Sequence, residues 1–119
     1  MFKTLSLMLF LLVITGCNLA PNHQYYWGEY ENLIYDSYNK PGSATPELQI
    51  QKITQDIEQA KENRKKIPPG LYAHLGMMYA FQGNKSLALA AFNEEKRLFP
   101  ESSALIDGMI KRSNKNIQQ

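Results

Sequence analysis

Apolar side chains recur through residues 27–38 at intervals of three and four, with Trp27, Tyr30, Ile34 and Tyr38 in one stripe and Leu33 beside it. That is the spacing of one face of an α-helix, and it makes those aromatics the predicted core. The helix should stop before Pro41-Gly42, because proline disfavours helical geometry in the residue ahead of it and glycine supplies turn freedom. A second helix follows. Thr45 can cap it, Pro46 suits its first turn, and Leu48, Ile50, Ile53, Ile57 and Ala60 supply its buried stripe. Arg64, Lys65 and Lys66 complement the negative end of its dipole and read as a solvated helix terminus before Pro68-Pro69-Gly70 breaks the pattern. Near the end of the chain, Ser102 or Ser103 can cap a last helix. There Leu105, Ile106, Met109 and Ile110 form a partial apolar face, Lys111, Arg112 and Lys115 stay wet, and residues 114–119 are expected to fray.

Between these elements, residues 69–102 carry a denser pattern. Tyr72, Leu75-Gly76, Tyr79, Gly83, Ala88, Phe92 and Pro100 fall at the offsets of one 34-residue tetratricopeptide repeat, which this segment resembles. The offsets have mechanical reasons. Gly76 and Ala88 lack bulk, so two antiparallel helices can approach closely, while Tyr79 and Phe92 fill the space on either side of that contact. Gly83 ends the first helix and Asn84 can cap the next. Glu95 departs from the pattern, standing where the repeat has a small residue, and predicts looser or differently angled packing there. The expected fold is therefore all-α, built of tetratricopeptide-like helical hairpins. About five helices are expected, the pair before residue 66 forming a divergent first repeat and the last helix a cap.

The N-terminus changes the picture. Lys3 precedes an apolar run over residues 5–14 broken only by Ser6, and Ile14-Thr15-Gly16-Cys17 closes it as a bacterial lipoprotein signal would. The run falls short of the ~20 residues needed to span a bilayer and fits a removed signal peptide. A cut near Gly16 or Ala20 would leave Cys17 a bystander. Cys17 is, however, the sole cysteine, so it has no disulfide partner within the chain, and a lone free thiol at this position is otherwise hard to explain. The reading is a signal peptide over 1–16, a tether over 17–24 beginning at lipidated Cys17, and a helical-repeat domain over 25–119. Diacylglycerol and an acyl chain on Cys17 would be its only attached groups, with no other cofactor. Several chains at roughly 0.8 kcal/mol per buried methylene make such an anchor effectively permanent. Asn18 after the cysteine resembles the pattern sent to the outer membrane of Gram-negative cells, so the periplasmic leaflet of that membrane is the expected location.

Charge and chemistry narrow the function. The chain has 13 Lys+Arg against 11 Asp+Glu, which does not suggest nucleic acid. His23 falls in the tether, His74 has no second His or Cys at ligand spacing, and adjacent Glu94 and Glu95 point different ways on a helix. No enzyme and no metal site are expected, and His74 reads as a helix-face or packing residue. For partner contact, Tyr26 and Tyr35 lie off the aromatic stripe. The first helix of the clear repeat would present Ala73, Met77, Ala80 and Phe81 on a shallow concave surface suited to a peptide or partner helix.

At Tyr26-Trp27-Gly28-Glu29-Tyr30-Glu31, Pro41-Gly42, Pro68-Pro69-Gly70 with Ala73-His74-Leu75-Gly76, and Glu95-Lys96 with Phe99-Pro100-Glu101-Ser102, the chain resembles a family of short Gram-negative lipoproteins grouped only as a domain of unknown function. Genes of that family tend to lie beside one for a lipoprotein similar to the curli secretion channel. The resemblance implies a shared envelope assembly and an envelope protein, such as another lipoprotein, as partner. The expected function is that of a non-enzymatic assembly or accessory factor in the envelope; the alternative is a peptidoglycan-binding or wall-synthesis regulatory lipoprotein. An alkyne fatty acid fed to cells should label the wild type and not Cys17→Ser; equal labelling would contradict the anchor.

Overall fold

The helix over Leu71–Phe81 is apolar on every side, so it can be stable only if neighbours surround it. The computed structural model, which describes residues 24–116, places it at the centre. The helices are α1 (Tyr30–Asn39), α2 (Pro46–Glu62), α3 (Leu71–Phe81), α4 (Lys85–Leu98) and α5 (Ser103–Asn116), with a 3-10 turn at Pro100–Ser102. α3 packs against α2, α4 and α5, while α1 packs against α2. Among the described residues there is no strand, only an isolated parallel bridge between Tyr25 and Lys66.

Two apolar clusters meet along α3. Leu33, Ile53, Ile57, Leu71, Tyr72, Leu75 and Ala91 form one, and Ala73, Ala88, Phe92 and Ile106 the other, with Tyr79 packed against both. Full burial of a side chain such as Ile53 or Phe92 stabilises by about 1.5–3 kcal/mol. The α3–α4 contact is close because Gly76 has no side chain: a Cβ there would stand 2.6 Å from the Phe92 ring. Thr45 accepts from the Leu48 amide at 3.3 Å and Asn84 from the Leu87 amide at 3.2 Å, so both act as helix caps.

Each hairpin is also closed by a buried carboxylate. In the second, Gly70 opens α3 without a side chain that could cap it. Glu95, on α4 and only 2 % exposed, takes that part, accepting from the Gly70 amide at 2.6 Å and the Ala73 amide at 3.3 Å. In the first, Asp56 on α2 accepts from the Glu29 amide with both oxygens, at 3.2 and 3.1 Å. Gly28, at φ 48°, makes room, since a Cβ there would lie 2.1 Å from an Asp56 oxygen. Taking a carboxylate out of water costs several kcal/mol. Charge-assisted bonds to amides at the positive end of a helix offset that cost.

These contacts correct several expectations. α1 begins at Tyr30 and not near Trp27, because the left-handed Gly28 turn and the Asp56 bond define its start. Trp27 is exposed and Tyr38 is 82 % exposed; Leu33 is the residue of α1 that enters the core, Tyr30 being half-buried. Arg64, Lys65 and Lys66 lie beyond α2, which ends at Glu62. Ser102 and Ser103 donate backward to the carbonyls of Phe99 and Pro100, each at 2.7 Å, rather than capping α5. α5 leaves Leu105 outside and continues to Asn116. Glu95 does not loosen the hairpin but ties α4 to the start of α3.

Glu95→Ala should cost about 3 kcal/mol, since it leaves buried amides unpaired. Glu95→Gln should cost less, because its amide oxygen still accepts. Urea unfolding measures both; an alanine variant within about 0.5 kcal/mol of wild type would contradict the role.

Candidate functional site

α3 and α5 run side by side in the same direction. Residues early in each helix, Ala73 and Ile106, share a buried cluster, while late residues of both line an open groove. Its walls are Met77, Ala80 and Phe81 from α3, Phe92 from α4, and Met109, Arg112 and Ser113 from α5. The exposure is concentrated where α3 is still fully apolar, with Phe81 71 % and Met77 37 % accessible. The groove encloses about 180 Å³. Small-molecule pockets usually run from about 300 to 1,000 Å³, so this one fits one or two inserted side chains better than a metabolite. Flexible methionines on two walls suit that role, and Arg112 adds a cation among apolar walls.

Of the four residues expected on this surface, Met77, Ala80 and Phe81 come together in the groove. Ala73 does not: it is buried beneath Ile106 because α5 folds onto the first half of α3. Met109, Arg112 and Ser113 join them from α5, which the repeat pattern over 69–102 does not reach. On the other flank, Tyr35 is exposed, whereas Tyr26 is half-buried and its hydroxyl donates to Gln59 Oε1. Cys17 and His23 lie outside the described residues.

His74 joins three helices. Its Nε2 lies 2.8 Å from Gln49 Oε1 and its Nδ1 3.0 Å from the Tyr30 hydroxyl, with the Tyr30 ring edge-on at 5.6 Å. Gln49 donates its amide to the Ala44 carbonyl at 2.7 Å, which turns its oxygen toward the imidazole. The network therefore assigns the proton to Nε2 and leaves Nδ1 to accept from Tyr30. Burial holds the imidazole below its ordinary value and raises the Tyr30 hydroxyl, on which the Glu95 charge acts in the same direction. This is a neutral structural histidine. Among the described residues, no group of three or more His, Cys, Asp or Glu side chains could hold a metal ion, and no helix is long and apolar enough to cross a membrane.

Fold and site together define a five-helix all-α domain with an apolar groove beside one end of its central helix. The chain belongs to the family described as Domain of unknown function (DUF4810), which matches residues 24–109, from the start of the described chain to within α5. Comparison with curated proteins and with solved structures gave no match.

Because folding depresses the His74 pKa, the unfolded chain takes up the proton first. Its neutral form contributes fully above the ordinary value of 6.5, and that contribution is lost as pH falls through 6.5 toward the lower folded value. The stability advantage of wild type over His74→Gln should narrow between pH 7.5 and pH 5 in denaturant titrations. Asp56, whose pKa burial raises, titrates in both proteins and cancels from the difference. A gap independent of pH would contradict the network.

Proposed function

We propose that this chain is a non-enzymatic lipoprotein, held by acylated Cys17 in the periplasmic leaflet of the outer membrane, whose tetratricopeptide-like domain binds a segment of another envelope protein. The observation that carries this reading is the exposure of Met77 and Phe81 on a helix that is otherwise enclosed. A soluble domain gains by covering such side chains, and an apolar groove of this size receives the anchor residues of a peptide or helix. Arg112 favours a segment that carries a carboxylate beside its apolar anchors. The repeated closure of each hairpin by a carboxylate from its second helix supports descent from a repeated unit. A groove this small gives modest affinity by itself. Anchoring both partners in one membrane raises the effective concentration by orders of magnitude. The resemblance to lipoproteins encoded beside a curli-channel-like lipoprotein makes another lipoprotein the first partner to seek.

A second reading, binding of cell-wall glycan, is favoured by one observation: Tyr35 and Tyr38, three residues apart on α1, are both exposed. Aromatic rings on one face form a platform on which sugar rings can stack.

Crosslinking in intact envelopes followed by mass spectrometry separates the two. A defined envelope protein should be captured by wild type and reduced at least tenfold by Phe81→Glu, the loss expected when a charge enters an apolar contact of 1.4 kcal/mol or more. The thermal midpoint should not change, because Phe81 is exposed. Recovery of muropeptides without a protein, abolished by Tyr35→Ala with Tyr38→Ala, would support the glycan reading instead.

A further inference from the structure

The first described residues are pinned to the loop after α2. The Lys66 amide donates to the Gln24 carbonyl at 3.2 Å, and the Tyr26 amide donates to the Lys66 carbonyl at 2.9 Å. Chain arriving from Cys17 therefore meets the domain at this loop. The seven residues from Cys17 to Gln24 span at most about 25 Å when fully extended, so whatever holds Cys17 is near Lys66.

The loop has the composition of a membrane interface. Residues 61–66 are all exposed and carry four cations against Glu62. Lys61 acts on Glu94, and Arg64, Lys65 and Lys66 continue the patch beyond the end of α2. Open depressions of about 360 and 520 Å³ flank Lys65, the first lined by Tyr25, Tyr26, Trp27, Gly28 and Glu31, the second by Tyr25, Lys66, Ile67, Leu98 and Phe99. Trp27 is exposed and Tyr25 half-buried. Tryptophan and tyrosine with lysine and arginine are the residues that settle at the headgroup layer. Arg64 adds an independent sign. It sits at φ 53° in the turn that closes α2, where the Lys65 amide donates to the Ala60 carbonyl at 2.9 Å. Glycine takes this left-handed position with less strain, and here the chain places an arginine, its side chain in water.

We propose that this end of the domain seats on the anionic lipid headgroups of the bilayer that holds Cys17. Arg64, Lys65 and Lys66 meet phosphates, and Trp27 with Tyr25 enters the headgroup layer. The inference rests on the anchor reading above. Its consequence is an orientation: the loop precedes the first turn of α3 and the groove lies at the last, so seating the loop turns Met77 and Phe81 away from the membrane.

The full chain, purified from membranes, is reconstituted into vesicles of phosphatidylglycerol with phosphatidylethanolamine and into phosphatidylcholine alone. Trp27 is the sole tryptophan, so its emission reports this end of the domain. A blue shift and quenching by brominated lipid are expected in the anionic vesicles only, reversed at about 1 M salt, where screening acts within about 3 Å. Each cation near an anionic surface is worth about fivefold in partition. In the unacylated Cys17→Ser chain, adding Arg64→Gly should therefore lower partition onto anionic vesicles about fivefold without lowering the thermal midpoint. Adding Arg64→Gly and Lys66→Gln together should lower it about twenty-five-fold. Equal Trp27 emission in both vesicle types, with Cys17 shown acylated by the mass of its N-terminal peptide, would overturn the proposal. So would crosslinks from Trp27 to an envelope protein in place of lipid. An unacylated Cys17 would overturn the anchor alone, and the partition ratios would still decide the seating.

Discussion

The carboxylate of Glu95 is the interaction on which the rest of the domain depends. α3 follows Pro68-Pro69-Gly70, a sequence that starts a helix abruptly and offers its first amides no local side-chain acceptor. A carboxylate reaching across from α4 supplies one, and it fixes which turn of α4 stands against which turn of α3. That register brings Phe92 against the bare backbone of Gly76 and so sets the close contact of the second hairpin. The negative charge is tolerated in a dry site because it lies at the positive end of a helix and holds two amides. Asp56 does the same for α1, with Gly28 as the residue that leaves it room.

With α3 held in this way, its composition decides what remains open. α2 and α4 cover two of its sides, and α5 covers the third only over the first half, where Ile106 meets Ala73. Met77 and Phe81 are left at the other half as apolar side chains on a rigid, central element. A contact surface placed on such an element is preorganised, so little ordering cost is set against binding. The groove and the basic, aromatic loop lie toward opposite ends of α3. One short domain thus has room for two contacts that do not compete.

Much of the fold was legible in the sequence because its signals are local. The apolar stripe of α2, the caps at Thr45 and Asn84, and the small residues Gly76 and Ala88 each act within one helix or one hairpin. What escaped was the buried polar layer. Periodicity assigns polar residues to the outside, so it passes over Gln49 and Asp56, and at Glu95, a packing position of the repeat, it predicts a looser contact; all three are buried. One signal was available for Glu95: a carboxylate at a position the repeat keeps small and buried needs donors, and Gly70 opens a helix without a cap. The aromatics of α1 misled in the opposite sense. Their spacing is helical, but α1 packs along α2 and meets α3 through Tyr30 and Leu33, so Tyr38 stays outside while Leu33 and Tyr30 take the inward places. The groove was half legible, because Met77, Ala80 and Phe81 lie on α3 itself, whereas Met109 and Arg112 reach it only through the fold of α5.

Hydrogen exchange resolved by residue, comparing wild type with Glu95→Ala, bears most directly on this account. Amides that open a helix normally exchange fast, because no carbonyl within the helix pairs with them. If Glu95 organises the second hairpin, the Gly70 and Ala73 amides exchange in wild type as slowly as the interior of α3. In Glu95→Ala they become fast, while the Glu29 amide held by Asp56 keeps its protection. Fast exchange at Gly70 and Ala73 already in wild type would contradict the account.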